Sequence, residues 1–331
     1  MRQEDNFNPE KKIKSVAVDS GFRQTTHTIL MIEPVAFGYN KETAVNNYFQ
    51  QKKNSGAEDI QSRAHAEFNG MVEKLRAKKV NVLVVKDIPE PHTPDSIFPN
   101  NWISFHADGR VALYPMFAEN RRTERRVEIL NMVVEKGFKI LDIVDYTDAE
   151  KQNRFLEGTG SIILDRVNKI AYAALSERTD KSLFLQFCQD FDYKAVIFTA
   201  NQTVDQKRLP VYHTNVMMCL ADRYAVICLD TIDNIDERKT VENCLIQSGK
   251  EIKVISEEQM QHFAGNMLQV ENTDGKHFLV VSQSAFDSLT TIQIHQLTVY
   301  NELIVVAIPT IEKYGGGSVR CMMAEIFNVP V

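Results

Sequence analysis

The sequence predicts an α/β chain of five similar units, each a strand, a strand, a helix and a strand, set around one axis. Three observations predict it. Short apolar strands alternate with single amphipathic helices along the chain. Five segments resemble one another: Asn101-Trp102-Ile103-Ser104-Phe105, Gly160-Ser161-Ile162-Ile163-Leu164, Asn215-Val216-Met217-Met218-Cys219, Asn266-Met267-Leu268-Gln269-Val270 and Cys321-Met322-Met323-Ala324-Glu325. Each opens on a small or polar residue and runs into a short apolar strand, and their starts are spaced by 59, 55, 51 and 55 residues. Finally, the last segment follows the loop Gly315-Gly316-Gly317, which has no use inside a helix or strand and suits a close approach to a ligand. In a ring of such units the opening residues converge on one centre.

Residues 1–25 read as a polar lead-in and residues 26–331 as one catalytic domain. Ile29-Leu30-Met31-Ile32-Glu33 reads as a strand stopped by Pro34. From Asn47 to Lys79 the spacing is helical, with Ala57, Ile60, Ala64, Phe68, Met71, Val72 and Leu75 on one face. Val80–Val85 is then a buried strand, and helices are expected over Thr123–Lys136, Ser182–Phe191 and Ile235–Ser248.

A chain of 331 residues, 44% hydrophobic and 25% charged, is of globular type and can bury a large core. Its net charge of −6 argues against nucleic acid as a partner. Met1–Gln24 carries no apolar signal region, and no apolar run approaches the roughly 18–20 residues that span a bilayer, so a cytoplasmic location without a membrane partner is expected. Oligomeric state, including a homo-oligomer, stays open. The five cysteines show no Cys-x-x-Cys and no zinc spacing. Cys188, Cys219, Cys228 and Cys244 sit in apolar contexts and read as small core residues, whereas Cys321 follows the glycine loop.

A cysteine nucleophile acts as the thiolate and needs a base and polar partners. The candidates are the groups at the mouths of the other units. His213 stands directly before an apolar strand. Glu157 sits in Leu156-Glu157-Gly158-Thr159-Gly160, and Asp95-Ser96-Ile97-Phe98-Pro99-Asn100-Asn101-Trp102 supplies an acid, two amides and the only tryptophan.

Over residues 26–331 these elements resemble the guanidino-group-modifying, or amidinotransferase (pentein), superfamily of five-bladed α/β-propellers. The matching features are the Asp-x-x-Phe-x-x-Asn element at Asp95–Asn101, the Glu-Gly element at Glu157, the histidine segment at His213 and the glycine-rich cysteine loop. Asn120-Arg121-Arg122-Thr123-Glu124 and Leu175-Ser176-Glu177-Arg178-Thr179 are further matches. The resemblance implies Cys321, His213, Glu157 and Asn101 as catalytic residues. It implies Asp95, Asn100, Arg121, Arg178 and Asn215 as substrate-binding, with Arg121 and Arg178 on the carboxylate and Asp95 on the α-amino group. Arg121 also reads as one charge of the run Arg121–Arg126 on a helix face.

Within the superfamily the chain most resembles the citrulline-utilisation hydrolases, through Phe98-Pro99-Asn100-Asn101-Trp102 and Gly317-Ser318-Val319-Arg320-Cys321-Met322. Arginine deiminases and dimethylargininases carry aspartate where this chain has Asn101, and deiminases carry aspartate where it has Asn215. An amide removes a charge suited to guanidinium and adds a donor suited to a ureido oxygen. The implied reaction is attack of Cys321 on the ureido carbon of a small amino acid. His213 handles protons, Asn101 steadies the oxyanion and Glu157 accepts substrate N–H bonds. No metal or organic cofactor is implied, since sulfur and imidazole can carry every step. An arginine or methylarginine deiminase, an amidinotransferase, a non-catalytic binding protein on the same scaffold and a cysteine protease are the alternatives.

Overall fold

Five small sheets, each of three strands, carry one pairing pattern throughout the computed structural model, which describes residues 23–51 and 56–327. In the second sheet Ile103–Phe105 runs antiparallel to Arg110–Leu113, which runs parallel to Asp142–Asp145. The same order recurs in Ile163–Asp165, Ile170–Ala174 and Lys194–Phe198. It recurs again in Met218–Leu220, Tyr224–Ile227 and Glu251–Val254, and in Leu268–Glu271, His277–Ser282 and Glu302–Val306. The first sheet is assembled from both ends of the described chain. Thr28–Glu33 pairs in parallel with Asn81–Lys86 and antiparallel with Ala324–Glu325, so the strand after Cys321 completes the unit that opens the fold. A parallel pair needs a crossover, and each sheet has one made of helix. A separate two-stranded hairpin, Asn201–Val204 with Lys207–Pro210, precedes His213. The opening strands of successive sheets touch one another, Ala324–Glu325 against Ile103–Phe105 and Met218–Leu220 against both Ile163–Asp165 and Leu268–Glu271.

The helices depart from expectation where polar groups must be buried. The first runs Ala57–Ala77, not from Asn47, and buries Ile60, Ala64, Phe68, Met71, Val72 and Leu75. Asn40–Gln50 forms turns instead, because Asn40, Thr43 and Asn47 spend their side chains on other segments. The second expected helix, over Thr123–Lys136, begins only at Val127 and ends at Glu135, and a separate short helix, Glu119–Arg122, precedes it across a break. Arg121 and Glu124 form a fully buried ion pair at that break, and Arg126 is extended (φ −99°, ψ 126°). Lys181–Asp190 and Ile235–Gln247 lie within a residue of expectation, capped by Asp180 and Asn234. In the fifth unit the crossover is two helices, Gln283–Ser288 and Thr291–Thr298, the second opened by a capping box of Thr290 and Gln293.

The repeat mouths differ as well. Pro99–Asn101, Gly158–Ser161 and Thr214–Met217 are single helical turns placed before the strands, not parts of them. Of the lead-in, residues 1–22 lie outside the described residues. Gln24 is already packed, donating to Leu164 O (2.9 Å) and accepting from Arg166 N (2.9 Å). No helix among the described residues is long and apolar enough to cross a membrane.

Candidate active site

Glycines let the helical turns approach one another. At Gly158 (φ +46°) an added Cβ would stand 2.3 Å from Asn100 O, and at Gly160 it would stand 2.4 Å from Asn101 Nδ2 and 2.9 Å from His213 Nδ1. The Glu157 turn therefore lies beneath an amide and an imidazole from two other units. Gly160→Ala is expected to displace both, costing about 1–3 kcal/mol of stability and most of the turnover. Urea denaturation and steady-state kinetics on that variant check this.

Glu157 is fully buried and both its oxygens are taken. Oε1 accepts from Phe117 N (2.9 Å); Oε2 accepts from His213 Nε2 (2.7 Å) and Arg178 Nη1 (3.4 Å). Burial raises the cost of its charge, but Arg178, His213 and Arg121 together hold its carboxyl well below the usual carboxylate range. His213 is pushed down to about 4, chiefly by burial and also by the two guanidiniums, against the opposing pull of Glu157. The imidazole is thus neutral at neutral pH, with Nε2–H on Glu157 and Nδ1 an acceptor. The expectation that Glu157 accepts substrate N–H bonds meets a carboxylate already occupied by protein donors.

Cys321 is 3% exposed and lies on a turn, its N–H bonded to Ser318 O (3.0 Å), before the strand begins at Ala324. Its sulfur receives Asn215 Nδ2 at 3.5 Å and Asn266 Nδ2 at 3.3 Å. Gly316 takes the left-handed conformation (φ +62°), and its carbonyl accepts from Tyr212 OH (2.6 Å) and Asn47 Nδ2 (3.2 Å). Ser318 Oγ donates to Glu312 Oε1 (2.6 Å).

Glu312 is pushed up from 4.5 to about 7, by burial first and by Glu67 besides. Because the folded value is the higher one, its contribution is full below about pH 4.5 and is lost as pH rises through about 7. Wild-type stability relative to Glu312→Gln is therefore expected to fall by about 3 kcal/mol between about pH 4 and about pH 8. Denaturation curves of the two proteins across that range measure it.

Asn101 accepts from Arg121 Nη1 on Oδ1 (2.8 Å), while its buried Nδ2 has no protein partner. Arg121 is otherwise held by Glu124 and by Asp95 O and Phe98 O. Arg178 donates to Asn46 Oδ1 and Thr43 O as well as Glu157. Both guanidiniums, which the resemblance assigns to the substrate carboxylate, border the cavity, and protein acceptors engage them. Asp95 Oδ2 accepts from Asn40 and Thr43, and its buried Oδ1 has no protein partner.

Cys321, His213, Asn101, Asp95, Arg121 and Arg178 all line one cavity, of volume ≈ 10 Å³. That is about room for a single water. Asn100 does not line it; its Nδ2 donates to Thr159 Oγ1 (3.4 Å). Asn215 also lies behind the lining, against the sulfur.

Sequence reasoning missed Thr43, Asn47 and Tyr212, which close the cavity, and Asn266, which touches the sulfur. Asn266 does open the fourth repeat segment, which was a usable signal. The other three carry none. Among the described residues no group of three or more His, Cys, Asp or Glu is placed to hold a metal.

The family model for N,N dimethylarginine dimethylhydrolase, eukaryotic, matches residues 33–328. No curated protein matches the sequence. Among solved structures the chain is similar to ArgZ, an arginine dihydrolase from the ornithine-ammonia cycle in cyanobacteria, with 16% identity and a TM-score of 0.70 over 92% of this chain and 41% of that one. The N-terminal domain of ArgZ, covalently bound to a reaction intermediate, is similar with 16% identity and a TM-score of 0.69, over 90% of this chain and 97% of that one. A dimethylarginine dimethylaminohydrolase adduct with S-methyl-L-thiocitrulline is similar with 15% identity and a TM-score of 0.59, over 91% of this chain and 100% of that one. The chain thus spans less than half of full-length ArgZ, and at these identities the likeness is one of fold. By its family match the chain belongs to the N,N dimethylarginine dimethylhydrolase family, hydrolases of the pentein superfamily that act on carbon–nitrogen bonds other than peptide bonds.

Proposed function

We propose that the chain hydrolyses the ureido group of citrulline to ornithine, ammonia and carbon dioxide through a covalent bond to Cys321. The five sheets are read as blades of one propeller, with the cavity at its centre and a free cytoplasmic amino acid as substrate. The observation that carries the reading is the Asn101 amide. Arg121 holds Oδ1, so the unpartnered donor Nδ2 is left beside His213 at the cavity. A carbonyl oxygen becoming an oxyanion needs such a donor, whereas a guanidinium offers only N–H groups and needs acceptors.

Cys321 attacks the ureido carbon as thiolate, and the electron pair moves onto the oxygen facing Asn101 Nδ2. Collapse expels ammonia, which takes a proton drawn from solvent by way of His213 Nδ1 and so offsets the proton the thiol lost, and leaves an N-alkyl thiocarbamate on sulfur. His213 Nδ1 takes a proton from water, hydroxide displaces the sulfur, and the released carbamate loses carbon dioxide to give ornithine. Glu157 keeps the imidazole oriented throughout.

Separate incubations with citrulline, arginine and methylated arginines, read for ornithine and ammonia, test the proposal. Ornithine from citrulline supports it. Citrulline as the end product from arginine or a methylarginine would overturn it in favour of the guanidino reading, which the family match favours. Asn101→Asp is expected to lower citrulline turnover by about 10²–10³-fold, because a donor to the oxyanion is replaced by a charge that repels it.

A further inference from the structure

Asn266 reaches the nucleophile from the fifth sheet's opening turn. Its Nδ2 lies 3.3 Å from Cys321 Sγ and also donates to Asn215 O at 2.9 Å, while its Oδ1 accepts from Arg320 N at 3.2 Å. The amide is thereby oriented from both ends: one N–H is spent on the backbone and the other is directed to sulfur. Asn215 Nδ2 approaches the same sulfur at 3.5 Å. The approach depends on Gly265, where an added Cβ would stand 2.3 Å from Val216 O and 2.8 Å from Met217 C. Asn266 Oδ1 lies 3.7 Å from the sulfur, the contact open to a neutral S–H. Asn215 and Asn266 are buried at 0% and 1% exposure, so water does not compete for these groups.

On the ureido reading the reacting group is uncharged and brings no cation to the sulfur. The nearby guanidiniums of Arg121 and Arg178 are engaged by Glu124 and Glu157. Hydrogen bonds to an ionised acceptor are shorter and stronger than neutral ones, so two aimed amide donors favour the anion over the thiol. We propose that Asn266, together with Asn215, forms a two-amide cradle that stabilises the Cys321 thiolate in the free enzyme, before a substrate with an uncharged reacting group arrives. The thiol proton passes to solvent, and Asn266 is then a catalytic residue touching the reacting atom. The proposal deepens the ureido reading and rests on it for its purpose.

The test is alkylation of Cys321 by iodoacetamide across a pH series, resolved from the other four cysteines by peptide mass spectrometry. In the wild-type chain the inflection is expected below that of free cysteine in the same buffer, and an inflection at or above it overturns the cradle without any variant. In Asn266→Ala the profile is expected to move up by about one pH unit, a tenfold slower alkylation near neutrality. Asn266→Asp keeps the shape, places an anion beside sulfur and is expected to move the profile further. Unchanged profiles in either variant, with circular dichroism matching the parent, overturn the proposal. No substrate is used, so a chain that fails on citrulline but shows these shifts loses the ureido reading alone.

Discussion

Cys321→Ala is expected to lower turnover by at least about 10⁴-fold while leaving substrate binding intact. The sulfur is the strongest nucleophile at the cavity; the hydroxyls of Thr43 and Tyr212 also border it, but each is committed, Thr43 to Asp95 and Tyr212 to Gly316 O. Removing the thiol deletes the proposed covalent step itself, and neither committed hydroxyl can take its place. The proposed substrate-binding groups, Asp95, Arg121 and Arg178, come from other turns and keep their own protein partners. Isothermal titration with citrulline should therefore give an affinity near that of the parent, alongside lost ornithine production. A variant that retained full turnover would end the covalent mechanism.

Glu157→Ala should be the most damaging substitution to the fold and should impair catalysis as well. Its carboxylate is the counter-charge for Arg178 at 3.4 Å, the hydrogen-bond acceptor for His213 at 2.7 Å and the acceptor for Phe117 N at 2.9 Å, all out of water. Deleting one partner of a buried pair leaves an uncompensated charge, which costs about 3–5 kcal/mol. Turnover should fall by about 10²–10⁴-fold, because His213 loses the group that fixes its tautomer. Glu157→Gln keeps the shape and one acceptor oxygen, and should lie between wild type and alanine in both respects. Urea denaturation and citrulline kinetics on the three proteins measure the order. An alanine variant as stable as wild type would show that the buried triad is not held together by this charge.

The repeat was legible because its units differ little in length: five segment starts near a 55-residue spacing lie at the entrances of the inner strands of five equivalent sheets. The helix over Ala57–Ala77 was legible from its 3.6-residue apolar pattern, since periodicity reports which face is buried. Its start was misjudged by ten residues, because Asn47 carries good helical spacing yet uses its amide on Gly316 O. The break before Val127 was equally invisible. Nothing local says that Arg121 and Glu124, in a run of charges, are buried together.

The amino-acid sequence by itself determined the five repeated units, the glycine loop before Cys321 and the residue types near the cavity, because each depends on local spacing and backbone freedom. Only the tertiary structure decided which groups touch: that Glu157 holds His213 and Arg178, that Arg121 and Arg178 answer to protein acceptors, and that Asn266 meets the sulfur from 55 positions away. Burial makes the difference. Once water is excluded, most polar atoms must find a partner, and that partner is chosen by the meeting of distant turns, whose distances no residue pattern states.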